Sequence, residues 1–531
     1  MKIALRTLLI LCFSLPIVAV AQSNYMSDPL VRVAMQAYES LLRENPEDYN
    51  AYYSRAMDYY RYGDYNKALD DLNAAIKYYP RTEALDLSQA YTIRAYIYQS
   101  RGEYSPALAD FNEALQLDPT SRYSLIGRAD MLREMGDYAR AKEDYQLLLR
   151  RDARSQEALL GMAVIAYQEN NMGTAEEYMR KAQEANPTNA QFYMDRGRVY
   201  EAHGEMNKAA NDYVMAMIYG DNNNAIVAIN NLSKKSYESA IDALSMAISK
   251  AEENEKGFYY YIRATIHKNT DHYAASIKDW NTIVEKKYLH YHDVFFSRGY
   301  CYMRLGQFEY ALDDISKAIR MKNDLSSYYV VRSKLYRIMG DYDKAAEDIS
   351  MAGIFDQANI AMLQERGLLA VELSNYEQAI NDFSDAIMYH ADEMSNYLLR
   401  GYTHERIDNH DAAKISYEMI VNFTEEKPSM NSLQGFALLR LGRLAEAEAW
   451  VEHVVASSDA LMGRDYYIAA CLYAQMGNND KALHYLEKAF DKGYGDYFNL
   501  YFEYDTPVSL APLRGEAAFR MLVQSYSHIF S

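Results

Sequence analysis

Nine arginines and eight aspartates recur at matched positions along this chain, and their spacing is its clearest chemical signal. The arginines are Arg55, Arg94, Arg128, Arg196, Arg263, Arg298, Arg332, Arg366 and Arg400. Sixteen residues after each of the first eight stands an aspartate: Asp71, Asp110, Asp144, Asp212, Asp279, Asp314, Asp348 and Asp382. Arg400 instead meets Ser416. Where the arginine is missing the aspartate is missing too, as in Met162 with Tyr178, Val227 with Ala243, Gln434 with Trp450 and Ala469 with Tyr485. Residues kept or lost together predict contact within one segment. A partly buried ion pair behaves in this way when its attraction nearly cancels its desolvation. The competing chemistry is a row of arginines binding phosphate or carboxylate ligands. Only His290, His292 and Asp293 resemble a metal-ligand cluster, and their expected role is a solvated helix start. His267 and His404 stand where sister segments carry tyrosine, so both are expected to pack. No glycine-rich phosphate loop, His-Glu-x-x-His helix or Gly-x-Ser-x-Gly elbow occurs. No metal, cofactor or enzymatic activity is expected.

The elements that position these pairs follow from a second regularity. Next to each arginine position stands a small residue: Ala56, Ala95, Ala129, Ala163, Gly197, Ala228, Ala264, Gly299, Ser333, Gly367, Gly401, Gly435 and Ala470. Further on comes a second small site, Ala68 in the first segment and Ala or Ser in the other twelve. Apolar residues recur at three- and four-residue steps on either side of a Gly-Asp-Tyr type break, which predicts two helices and a turn per segment. Small residues at facing sites let two helices approach to roughly 8–10 Å. One such pair cannot bury its apolar face alone, so neighbours must stack. The 52 tyrosines are then largely packing residues.

The order aromatic, small, aromatic, alanine, aromatic, proline, at a spacing near 34 residues, resembles the tetratricopeptide repeat. The resemblance runs from about residue 28 to 495. It implies an all-α fold: a right-handed superhelical solenoid of about thirteen helix pairs with terminal capping helices. The expected division is a capping helix within 22–48, an array at 49–220, its continuation at 221–427, two final pairs at 428–495 and a C-terminal cap at 496–531. Asn222-Asn223-Asn224 weakens one first helix, and Thr424–Met430, with Pro428, reads as a polar linker. Around Pro512-Leu513-Arg514 and Phe519 the chain resembles segments that close such arrays, with a capping helix at 515–529.

The first 21 residues read as a signal peptide. Lys2 and Arg6 precede an apolar run, and Ala19-Val20-Ala21 offers the cleavage pattern before Gln22. The run is shorter than the ~20 residues of a membrane span. Leu11 before Cys12 and Phe13 after it do not fit a lipoprotein site. The expected location is therefore periplasmic or secreted. Cleavage takes the net charge from −19 to −21, since two cations leave and no acid does. Such a surface repels phosphate backbones, so no nucleic-acid partner is expected. Cys301 and Cys471 lie five repeats apart, too far for a disulfide.

In each first helix, the residues three before, one after and four after the small site form one stripe. By resemblance to the family this stripe lines the concave groove. It comprises Tyr53, Tyr60, Tyr96, Tyr167, Tyr261, Lys268, Phe296, Tyr300, Met303, Lys334, Arg337, Tyr402, Phe436 and Tyr467. Aromatic anchors beside cations suit an extended peptide with apolar side chains and an acidic group. The family's lysine-asparagine pattern for chaperone C-termini is missing, so that ligand is not implied. The expected function is an exported scaffold for protein or peptide partners. Glycan binding on the aromatic groove, or a regulatory subunit of an envelope or secretion complex, are the alternatives; sequence names neither the partner nor the oligomeric state.

Overall fold

A computed structural model describes residues 29–79, 84–423, 429–457, 461–502 and 507–530. The expected signal peptide, the start of the N-terminal cap and most of the 424–430 linker lie outside the described residues. Every element among the described residues is helical, and thirteen consecutive antiparallel pairs run from Tyr49–Arg61 with Tyr65–Tyr78 to Gly463–Gln475 with Asn479–Asp491. Helix Pro29–Glu44 precedes the first pair. After the last pair come Tyr497–Tyr501, a 3₁₀ turn Ala511–Leu513, helix Ala517–Ser525 and a 3₁₀ turn Ser527–Phe530. The C-terminal cap is thus a short helix and a turn rather than one helix over 515–529. Among the described residues no helix is long and apolar enough to cross a membrane.

Twelve of the thirteen turns within a pair contain a left-handed residue, the sixth pair being the exception. Gly63 and Gly340 adopt φ of 79° and 80°, and Asn170 and Asp271 take the same role at 58° and 63°. Glycine, asparagine and aspartate are the residues that tolerate this cap conformation. Within a pair, the small site of the first helix receives a large apolar side chain from the second, an aromatic ring in several repeats and Ile315 at Gly299. A Cβ on Gly401 would stand 2.5 Å from the Tyr417 ring, and one on Gly367 would stand 2.6 Å from the Phe383 ring. Ala56 and Ala68 are likewise fully buried. The periodic small residues are therefore sockets for large side chains of the second helix, aromatic or aliphatic.

The chain divides into two compact bodies, one ending at Ala225 and one beginning at Ile226. The division falls inside helix Asn222–Ser233, the first helix of the sixth pair.

Candidate functional site

All eight arginine–aspartate pairs form inside their own repeat. Arg298 donates from Nε to Asp314 Oδ2 at 2.6 Å and from Nη2 to Oδ1 at 2.8 Å. The same two-pronged fork recurs for the pairs beginning at Arg55, Arg94, Arg128, Arg196, Arg263 and Arg332. Arg366 places both nitrogens on one oxygen of Asp382. Arg400, which has no aspartate, reaches Ser416 Oγ at 3.2 Å. The third nitrogen of the guanidinium goes backward to the preceding repeat: Arg94 to Asn73, Arg128 to Asn112, Arg298 to Asn281. Arg94, Arg128, Arg196, Arg263, Arg298 and Arg332 thus clamp their own pair and tie it to the previous one. Burial pushes the Asp279 carboxyl above its ordinary value, against the pull of Arg263. That is the near-cancellation expected of a buried pair. The ladder is a structural device, with its arginine forks already occupied.

The aromatic stripe is less open than the sequence reading expects. Tyr167, Met303, Arg337, Phe436 and Tyr467 are buried, so these five pack rather than present themselves to a ligand. Tyr53, Tyr60, Tyr96, Tyr261, Lys268, Phe296, Tyr300, Lys334 and Tyr402 are half-buried. Most of these meet a neighbouring first helix. Tyr261 donates to Asp293 at 2.6 Å, Phe296 stacks on Tyr328 at 4.1 Å, and Lys268 donates to Ser297 at 3.1 Å. Tyr53 reaches Gln89, Tyr96 donates to the Tyr123 carbonyl, and Tyr402 lies against Arg440. Tyr60 packs on Tyr65 of its own pair. Arg337 forks onto Glu365 of the next repeat and also reaches Glu372. His292 shares a hydrogen bond with the Tyr328 hydroxyl at 2.7 Å, and Asp293 is taken by Tyr261. His267 is buried against the Tyr237 hydroxyl, and that burial pushes its pKa down to about 3. Cys301 and Cys471 are buried and in no disulfide among the described residues.

What sequence reasoning missed is how the C-terminal body treats its own groove. After the last pair the chain returns to repeats that precede it by nearly two hundred residues. Gly495 N–H donates to the Asp271 carbonyl at 3.0 Å, and a Cβ on Gly493 would stand 2.1 Å from the His272 ring. Asp496 and Arg304 form a buried ion pair. Phe498 is fully buried between Phe308 and the Lys334 ammonium, which lies 4.8 Å from its ring. Tyr494 stacks on Tyr467 at 4.7 Å. An acidic residue followed closely by an aromatic one is the ligand chemistry expected for the stretch around Tyr300 and Lys334, and the chain supplies it in cis. The available signal was local: two glycines flanking a tyrosine, Gly493-Tyr494-Gly495, in an array otherwise poor in glycine outside its turns and sockets.

In the N-terminal body the charges on first helices are differently placed. Asp195 takes hydrogen bonds from Gln191 and Arg198 on Oδ1, while its buried Oδ2 has none. Burial pushes it up to about 7. Glu134 is raised to about 7 and Asp130 to about 6, again chiefly by burial. Among the described residues no cluster of three or more His, Cys, Asp or Glu side chains could hold a metal ion.

Comparison with known proteins finds repeats of one kind in four stretches of the chain. Models described as tetratricopeptide repeat match residues 88–121, 126–190, 292–325 and 466–491. No curated protein matches the chain. Among solved structures, yeast Tom70 is similar at 15% identity, covering 91% of this chain and 95% of that one, with a TM-score of 0.38. A tetratricopeptide repeat protein from Parabacteroides merdae is 19% identical over 52% of this chain and 93% of its own, with a TM-score of 0.27. YrrB, described as having an unusual peptide-binding site, is 15% identical over 41% of this chain and 94% of its own, with a TM-score of 0.26.

Proposed function

Since this chain is built of tetratricopeptide repeats, we propose that it is an exported scaffold, and not an enzyme, that binds an extended segment of a partner protein. The observation that carries this reading is the row of half-buried side chains that successive first helices present at a fixed step. Tyr53 and Tyr96 in the N-terminal body and Phe296 and Tyr402 in the C-terminal body belong to it. Aromatic side chains offer large contact area at little rotamer cost, which suits them as anchors. The stretch at Tyr300 and Lys334 is the least available, because Phe498 already covers it. Export rests on the leader-like residues 1–21, with cleavage before Gln22.

A specific observation favours a second surface. On consecutive second helices Ile354, Met388 and Ile415 are 70%, 68% and 60% exposed. Contiguous exposed apolar side chains of this kind mark contact surfaces. The test is capture from the host's envelope fraction, with mass spectrometry, by the wild type and two variants. Phe296→Ala with Tyr402→Ala should lose the partner if the first-helix row holds it. Ile354→Ser with Met388→Ser should lose it if the second-helix face does. Retention by both variants, or binding to a glycan array in place of protein, would reject the peptide-scaffold reading. N-terminal sequencing that finds Met1 intact would reject export.

A further inference from the structure

Within the C-terminal body, first helices of five repeats and the returning C-terminal segment surround one cavity of about 760 Å³. Its size falls within the range of small-molecule sites, and its walls combine apolar and polar side chains in nearly equal share. Val331, Leu368, Leu399 and Ile468 supply apolar surface, and Asn499 and Val508 come from the returning segment.

The charges on the wall are unequal in a way that points to a ligand. Glu365 is tied to Arg337, and Arg304 to Asp496, so the charges of these four are paired within the protein. Arg464 is different. It is exposed on the cavity wall and forms no hydrogen bond or ion pair with any described residue. Asp271 acts on it only from beyond salt-bridge range. Lys334 adds a second cation to the wall, and Glu393 is the one lining acid outside those pairs. Asn499, only 6% exposed, leaves its Oδ1 without a donor. A buried acceptor without a donor costs free energy, and a guanidinium without an anion leaves its donors unused.

We propose that this cavity is a binding site for a small organic carboxylate with an apolar body. The carboxylate accepts from Arg464, the apolar body lies along Val331, Leu368 and Leu399, and a ligand hydroxyl or amide N–H satisfies Asn499 Oδ1. The site exists only because the C-terminal segment closes the groove, so it is separate from any surface that takes a protein partner.

Decanoate, with decanol and acetate as controls, tests this by calorimetry on the full chain. Decanoate should bind saturably at one site, and decanol and acetate at least about tenfold more weakly, since each lacks one half of the recognition. Arg464→Gln should weaken decanoate by about tenfold or more while leaving the melting temperature of the free protein unchanged, because Arg464 holds nothing else in place. Leu399→Trp should block binding by filling the cavity. Absence of saturable decanoate binding, equal binding by Arg464→Gln, or unchanged binding in a folded Leu399→Trp variant would each overturn the assignment. If Leu399→Trp does not fold, the Arg464→Gln comparison decides alone.

Discussion

The two bodies are built from the same helix pair, yet they treat the charges between successive first helices in opposite ways. In the C-terminal body Arg337, four residues after Ser333, forks onto Glu365, two residues before Gly367 of the next repeat. Lys268 reaches Ser297 across the corresponding junction. In the N-terminal body Asp195 occupies the place of Glu365, two residues before Gly197. The preceding repeat offers Tyr167 at Arg337's place, and that hydroxyl goes to Glu176 instead. Asp195 keeps a buried oxygen without a partner, and its pKa rises to about 7. Stacking therefore does not depend on this cross-repeat pair. It tolerates a base and an acid paired across the junction, or an acid held near neutrality whose one cation, Arg198, lies on its own helix, and the difference across the junction is one residue on a neighbouring helix.

The largest effect should come from removing the base where it is used. Arg337→Met leaves the buried Glu365 without its cation and should cost about 3–5 kcal/mol, as for breaking a buried pair from one side. Hydrogen exchange resolved by peptide should show the loss in the C-terminal body and spare residues 49–220. An equal loss in both bodies would break the contrast between them.

Arg304→Met is next, at about 3 kcal/mol. It strands Asp496 and should release the returning segment, so limited proteolysis should cut between residues 493 and 513 before it cuts the array. Unchanged resistance there would show that Phe498 and Tyr494 hold the segment without the ion pair.

The arginine–aspartate ladder is common to both bodies and serves as the control. Arg298→Met alone should cost about 2–3 kcal/mol, because the pair keeps some solvent contact. Arg298→Met with Asp314→Tyr, the combination found at Met162 and Tyr178, should recover much of that. Arg128→Met should behave like Arg298→Met. A double variant no better than the sum of its singles would argue against pairing within the repeat.

How much of this was legible in the sequence depended on sequence distance. The ladder could be read because both partners lie in one repeat at a constant offset, so each of thirteen repeats is an independent trial. The helix pairs could be read for the same reason. Burial of Met303, Phe436 and Tyr467 could not, since a stripe position is groove or core according to what the next first helix brings against it. The docking of Asp496 on Arg304 spans 192 residues and occurs once, so no period announces it. Only Gly493 and Gly495, which let backbone approach His272 and Asp271, left a mark.

The smallest effect sharpens the comparison most, because it turns on protonation alone. Asp195 and Glu134 are raised to about 7 and Asp130 to about 6, whereas in an unfolded chain such groups titrate near 4. Between roughly pH 4 and 7 the folded N-terminal body therefore binds more protons than the unfolded one. Stability must then fall as pH rises through that window, and be regained on acidification. Arg133, Tyr145, Arg198 and Gln191, which face these acids, do not change charge over it, while the acids act on one another, Asp130 raising both Glu134 and Asp195. Asp195→Asn removes the charge that burial disfavours and should stabilise this body by about 1–2 kcal/mol at pH 8, with little effect at pH 5. Glu365→Gln in the C-terminal body should do the reverse and destabilise at pH 8, since there Arg337 would lose the buried one of its two anions. Denaturation followed by hydrogen exchange at pH 5, 6.5 and 8 reads both. If Asp195→Asn destabilises at pH 8, Asp195 is charged and paired in the folded protein, and the two bodies handle their acids alike.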